Sequence, residues 1–402
     1  MSLKPLTACL AALCLWPFTL QASECGTEPP PPVHVATAEA LGEALTAPCP
    51  GTEILIAPGH YRGKFRMTEA AAGTSERPIV VAAEEGLGSV VIDGDGAAVT
   101  WKLDGAANVV LRGLEITGGG YHGVFFDHGA RDITVTGNRI HDNTGKPPLD
   151  SHAEIKGSNA GPRVARITLR GNEIYHSAHP DGGNFQGIDC NGCDDWRIEG
   201  NYIHDIGRPT SQPHSYFDRG SCIQMKSLSR GTVIDGNLIR QCHIGIVLGG
   251  EGLESPENLG GTVTNNIVLD SEEIGIAVVN ARDARIAYNT VLGPARGIVF
   301  AEDGRFADSA NTGEAANNLF AAAVKDVPAD IAWRGNVVIP GLSADALFKA
   351  WQDGDFRIRP GVPPLSEDTV WLSPEIAHDY RGMPRRRGET PDAGAVARDP
   401  AK

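Results

Sequence analysis

One short pattern keeps returning along this chain, and it leaves few folds open. An apolar strand is followed by a Gly-Asn or Asn-Asn step and then by Ile, Val or Leu. The copies run from Ile133 to Ile140 around Asn138, from Ile167 to Ile174 around Asn172, from Trp196 to Ile203 around Asn201, and from Val233 to Ile239 around Asn237. Weaker copies carry Asn266, Asn289, Asn318 and Asn336, and an earlier one, Val109 to Ile116, has Gly113-Leu114 at the step. The intervals between the Asn residues are 34, 29, 36, 29, 23, 29 and 18. A unit that short cannot bury its own apolar face, so successive units must stack as coils of a solenoid. Asn tolerates left-handed backbone and bonds locally, so Asn at equal positions of stacked coils predicts an internal ladder. The uneven intervals place inserted loops between constant strands.

A second strand precedes each step. The series is Gly123-Val124-Phe125, Glu154-Ile155-Lys156, Gly187-Ile188-Asp189, Cys222-Ile223-Gln224, Gly245-Ile246-Val247, Gly275-Ile276-Ala277 and Gly297-Ile298-Val299. Side chains alternate along a strand, so if the aliphatic points inward the next residue points out. The outward row is then Phe125, Lys156, Asp189, Gln224, Val247, Ala277 and Val299. Two residues further on lie Asp127, Ser158, Asn191, Lys226, Gly249, Val279 and Ala301. Polar and charged residues gather in the middle coils, whereas a merely solvated face would scatter them. The longest insertions, 144–153, 178–186 and 207–221, precede these same coils and carry Asp150, His152, His179, Asp181, His214, Tyr216, Asp218 and Arg219. Long loops on one side of a rigid scaffold carry function. They predict a cleft over Lys156, Asp189, Gln224 and Lys226, with His152, His179 and Asp181 among the substrate-binding residues.

The net charge of -15 gives no basic field for nucleic acid. An anionic partner therefore requires a local cationic patch, which the middle coils offer. The start of the chain reads as an export signal over residues 1–23, with Lys4 followed by an apolar run from Leu6 to Leu20, too short to span a bilayer comfortably, and a membrane anchor is the alternative. Cys9 and Cys14 leave with the signal. The other six Cys suggest disulfides in an exported protein, with Cys25–Cys49 and Cys222–Cys242 the candidate pairs among 15 connectivities. Cys190-Asn-Gly-Cys193 also has zinc or redox spacing, but no second Cys/His pair has ligand spacing. The expected organisation is a cap at 24–50, a parallel β-helix at 51–340 and a closing segment and tail at 341–402. A monomer is expected, periplasmic or secreted, with no membrane contact once the signal is gone.

From about residue 50 to 395 the chain resembles the pectate-lyase-like superfold, the all-β, single-stranded right-handed parallel β-helix. Ile54 to Tyr61 looks like its first coil. Asp379-Tyr-Arg-Gly382 and Asp392-Ala-Gly394-Ala395 look like its closing segment. A sharper local resemblance runs through Ser221-Cys-Ile-Gln-Met-Lys226-Ser227, the Gly-Asn237 step and Arg240 to Leu248. It is similar to the alginate lyase and chondroitinase B family of polysaccharide lyases. The resemblance implies β-elimination beside a uronate in an acidic polysaccharide, with Lys226 as the base. It also implies calcium, but the family's Glu-x-Glu ligands fall here on Arg219 and Ser221, and its Leu-Arg-His-Gly run falls on Leu248-Gly249-Gly250. The roles left to other residues are carboxylate binding by Arg219 and Lys156 and proton donation by His214 or Tyr216. Glu154 and Asp189 are the weak metal-ligand candidates, and no cofactor is certain. Three other readings share the fold. A hydrolase would need a carboxyl pair, but Asp194-Asp195 sits in a turn. A C5-epimerase would carry Asp-Pro-His, which appears reversed as His179-Pro180-Asp181. A binding protein would hold sugar without turnover.

Overall fold

The computed structural model describes residues 25–143, 152–158, 160–177, 185–207, 220–322, 324, 326–365, 369–372, 376–385 and 391–399. Within them the chain is a right-handed parallel β-helix. Most of its strands fall into three long sheets, 12-, 9- and 11-stranded, each assembled from successive coils, and a 3-stranded and a 2-stranded sheet hold the rest. One coil shows the path: Arg131–Thr136 enters the 12-stranded sheet, Arg139–His141 the 11-stranded sheet and His152–Gly157 the 9-stranded sheet. Ala165–Arg170 then pairs in parallel on Arg131–Thr136 and starts the next coil.

The asparagine ladder is present and continuous. The Oδ1 of each Asn accepts both the backbone N–H and the side-chain amide of the Asn one coil before, at 2.8 to 3.1 Å, from Asn138 through Asn172, Asn201, Asn237, Asn266, Asn289 and Asn318 to Asn336. At its head Asn138 Oδ1 accepts the N–H of Leu114, the coil that lacks an Asn. Beside the ladder lies the aliphatic interior: Ile155, Ile188, Ile223, Ile246 and Ile276 are fully buried and in register.

Both ends differ from the repeat. The helix Ala38–Ala44, capped by Thr37, buries Leu41 and Leu45 against the core at the first coil. The Cys25–Cys49 disulfide closes this segment. The C-terminal segment forms a second apolar cluster. Leu347, Phe348, Phe356, Leu365 and Val396 pack with Ile267, Leu269, Leu292 and Leu319 from the last coils of the 11-stranded sheet. Arg385 locks it there, donating to Asn265 Oδ1 at 2.8 Å with its guanidinium 3.8 Å over the Tyr288 ring. Burial pushes Arg385 down to about 10. Cys222–Cys242 and Cys190–Cys193 are also paired, so all six cysteines after residue 24 are in disulfides.

Removing one rung tests the ladder. Asn201→Ala leaves the Asn172 amide and the Leu169 carbonyl without their buried partner. A stability loss of about 2–4 kcal/mol is expected in chemical denaturation. Arg170→Ala removes only an exposed ion pair with Glu199 and is expected to cost under about 0.5 kcal/mol.

Candidate functional site

The 9-stranded sheet carries the candidate site, because its outer face is where the outward rows line up. One row pairs Arg66, Lys102, Phe125, Lys156, Asp189, Gln224, Val247, Ala277 and Val299 across nine neighbouring strands. Its members from Phe125 onward follow the alternation expected from sequence. A second row holds Asp104 beside Asp127, Asn191 beside Lys226, and Gly249 beside Val279 and Ala301. A third holds His122, Ala153, Gln186, Ser221, Ile244, Ile274 and Arg296.

Four predicted residues meet in the middle of this face. Asp189 lies between two lysines. Lys156 Nζ bonds Oδ2, and Lys226 Nζ stands 3.4 Å from Oδ1. Lys226 also donates to Gln224 Oε1 at 3.4 Å, which accepts from Gln186 Nε2 at the same distance. Gln224 Nε2 donates to the carbonyls of Gly250 at 2.7 Å and Gly249 at 3.3 Å, which fixes its oxygen toward Lys226. The three charged side chains are only 8%, 0% and 6% exposed for Lys156, Asp189 and Lys226. Burial, with Lys226 close by, holds Lys156 below the ordinary lysine value although Asp189 pulls the other way. Burial pushes Asp189 up, but the two lysines outweigh it and keep its carboxyl below the ordinary value. Burial and Lys156 lower His122 to about 3, so its imidazole is neutral. Lys156, Asp189 and Lys226 together sum to one positive charge.

Glu154 does not join them. Its position in the strand is taken by Gly123, Gly187, Gly245 and Gly275 in other coils. There a Cβ on Gly187 would lie 2.7 Å from the Cys222 carbonyl, and one on Gly275 would lie 2.2 Å from Val291. Cys222 fills the position by pairing with Cys242. Glu154 fills it by turning inward, where it accepts the Asn143 backbone N–H at 3.2 Å and side-chain amide at 2.7 Å and meets His176 Nδ1 at 3.2 Å. It is therefore an interior anchor rather than a ligand beside Lys226. Asp194 lies in the turn, as expected, with Arg163 bonded to both its oxygens at 2.8 Å. His152 begins the Lys156 strand, buried, with its ring 4.8 Å from Tyr121. Arg219, His214, Tyr216, His179 and Asp181 lie outside the described residues.

Several neighbours escaped the sequence reading. Gln186 and His122 stand one position before the double inward pair that interrupts the alternation, so a strict period of two passes over them. Arg66, Lys102 and Asp104 belong to two coils that precede the first Asn copy. Ser227 Oγ accepts the Leu253 N–H at 3.0 Å, holding the turn after the Gly249 strand against Lys226. That turn is braced by Glu257, which accepts the Gly252 N–H at 3.0 Å and is pushed up to about 8 by burial and by the Asp303 carboxylate.

Among the described residues the donor set at Lys226 does not fit calcium. Asp189 is occupied by two ammonium groups, Ser221 offers one hydroxyl, and Glu154 faces inward. Among the described residues Asp104, Asp127 and His128 have metal-ligand spacing. Arg66 and Lys102 already neutralise those carboxylates.

Residues 151–320 match the family described as the right handed beta helix region. Pectate lyase Pel9A superposes at a TM-score of 0.61 with 14% identity, covering 94% of this chain and 98% of that one. An alginate lyase from Paenibacillus sp. str. FPU-7 reaches 0.45 with 18% identity, over 68% and 98%. A mannuronic acid specific polysaccharide family 6 lyase from human gut microbiota reaches 0.42 with 17% identity, over 75% and 82%. The first is similar in fold; the other two superpose too loosely to add to that. No protein of curated function matches the chain in sequence.

Asp189→Asn is expected to cost about 3–5 kcal/mol at neutral pH, since it leaves two buried ammonium groups unpaired. Asp189 binds its proton more weakly folded than unfolded. Its contribution is therefore whole above about pH 4 and is lost as pH falls through the folded value. Thermal unfolding of both proteins across the acid range checks this: the parent should lose its advantage as pH drops, and the variant should show a flatter profile.

Proposed function

We propose that the chain is an exported polysaccharide lyase that cleaves a uronic-acid-containing polysaccharide by β-elimination at the Lys156–Asp189–Lys226 cleft. The observation that carries this reading is the buried surplus of positive charge. A buried charge without a full complement of partners is costly, and a carboxylate arriving from the substrate completes it. Asn191 beside it suits a sugar hydroxyl, and Gln186 and Gln224 hold Lys226 in place.

The reaction removes the C5 proton beside the uronate carboxyl and expels the glycosidic oxygen, leaving a C4–C5 double bond. In this reading Lys226 takes the C5 proton as its neutral amine: the pair, charged when it draws the carboxylate in, releases one proton before the chemical step. Lys156 stays with Asp189 and, with Arg219, binds the substrate carboxylate, where the negative charge of the enolate develops. His214 or Tyr216 delivers a proton to the leaving oxygen. The donor set among the described residues leaves no step assigned to calcium. The three disulfides suit an exported protein, and among the described residues no helix is long and apolar enough to cross a membrane. We place the mature protein, without residues 1–23, in the periplasm or outside the cell as a monomer. The proposed divisions are the cap at 24–50, the solenoid at 51–340 and the closing segment at 341–402.

The test is ultraviolet absorbance of the unsaturated product on polymannuronate, polyguluronate, polygalacturonate and chondroitin. A rise on one of them is expected, with Lys226→Ala slowing it by roughly 10²–10⁴-fold. A rise that Lys226→Ala leaves intact removes the assigned base. Reaction without an unsaturated product, with inversion at C5, favours the epimerase reading.

A further inference from the structure

The outer face of the 9-stranded sheet is chemically different on the two sides of the lysine pair. Toward the chain's C-terminus the next strands present Ile244, Val247, Ile274, Ala277 and Val279, all at most 2% exposed and gathered in an apolar cluster of their own. Val299 and Ala301 pack onto it. These side chains hold no group that bonds a sugar hydroxyl or a carboxylate, and the one charged residue in their rows, Arg296 at the last strand, is already paired with Glu273. Toward the N-terminus the same rows present Phe125, Lys102, Asp104, Asp127, His128 and Arg66. Lys102 is 26%, His128 53% and Arg66 61% exposed.

These N-terminal groups are linked to one another. Lys102 Nζ bridges Asp127 at 2.8 Å and Asp104 at 3.5 Å, His128 Nδ1 meets Asp104 at 2.6 Å and Asp127 at 3.1 Å, and Arg66 bonds Asp104. Lys102 also stands 5.3 Å from the centre of the Phe125 ring. The result is a partly open patch in which three basic side chains surround two buried carboxylates beside an aromatic ring, and the exposed Arg66, bonded to Asp104 through one terminal nitrogen, keeps other N–H groups to offer a sugar carboxylate. Two strand spacings, roughly 10 Å, separate the Lys102 strand from the Lys156 strand.

We infer that the cleft is one-ended: the polyuronate extends from the lysine pair only across the N-terminal strands, with Arg66 and Lys102 holding a distal uronate. The consequence is exolytic action. The reacting linkage lies at the C-terminal end of the occupied groove, so short products leave from one end of the chain. This rests on the lyase reading above and adds to it the direction of the substrate and the residues that read its length.

The experiment follows products from an end-labelled oligosaccharide of whichever polyuronate is turned over, and binding of the same oligosaccharide by calorimetry. Wild-type protein should release one short product from the first time point, with no ladder of intermediate lengths. Arg66→Ala and Lys102→Met should each raise KM for long oligosaccharides by about tenfold with kcat unchanged, and leave the shortest cleaved substrate unaffected. Val299→Lys, on the apolar side, should change neither. An early ladder of lengths, or equal effects of Arg66→Ala on short and long substrates, overturns the one-ended cleft while the lyase reading stands. Absence of both turnover and binding on every polyuronate overturns the lyase reading and this inference with it.

Discussion

Stacking decides everything else in this molecule. A coil of this length has one apolar side and a strip of backbone that must be satisfied, and the next coil supplies both. The asparagine ladder is where that dependence is most concentrated: each side chain bonds the backbone and the amide of its neighbour, from Asn138 to Asn336. The ladder fixes the register of the coils. Register in turn fixes which side chains share a row on the outer face. A slip of one residue would turn Lys156 and Gln224 inward and bring Ile155 and Ile223 out.

Because register is rigid, an outer face can hold groups that would not otherwise stay together. Lys156, Asp189 and Gln224 occupy one row on three successive strands, and Lys226 stands in the row beside it. Their burial makes the charge count consequential. In open water one surplus ammonium group would be screened, whereas here it is shielded and has a single carboxylate to share. The interior contributes as well. Glu154, bonded to Asn143 and His176, fixes the start of the strand that carries Lys156 from beneath.

The sequence made the architecture legible because both of its rules are local. A period of two exposed Ile155, Ile188 and Ile223 as inward and Lys156, Asp189 and Gln224 as outward, and the repeated step exposed the ladder. The cysteine pairs 25–49 and 222–242 were readable from export and repeat spacing, while 190–193 stayed open among other chemistries. What escaped depended on breaks in the local rule. The strands place two consecutive residues inward before the outward row, which hid His122 and Gln186. The coils holding Arg66 and Lys102 lie before the first Asn copy, so no repeated step marks their strands. The inward turn of Glu154 follows from contacts with Asn143 and His176, which no spacing reveals. The loop residues Arg219, His214 and Tyr216 lie outside the described residues, and their roles rest on the sequence alone.

The central claim is that a buried cationic surplus selects a carboxylate-bearing sugar chain. Its most direct measurement compares, by calorimetry at two salt concentrations, binding of a uronate oligosaccharide and of the same oligosaccharide with its carboxyl groups reduced to alcohols. Only the acidic form is expected to bind, with an affinity little altered by salt because the paired charges are shielded. Equal affinity for the acidic and reduced forms would contradict it.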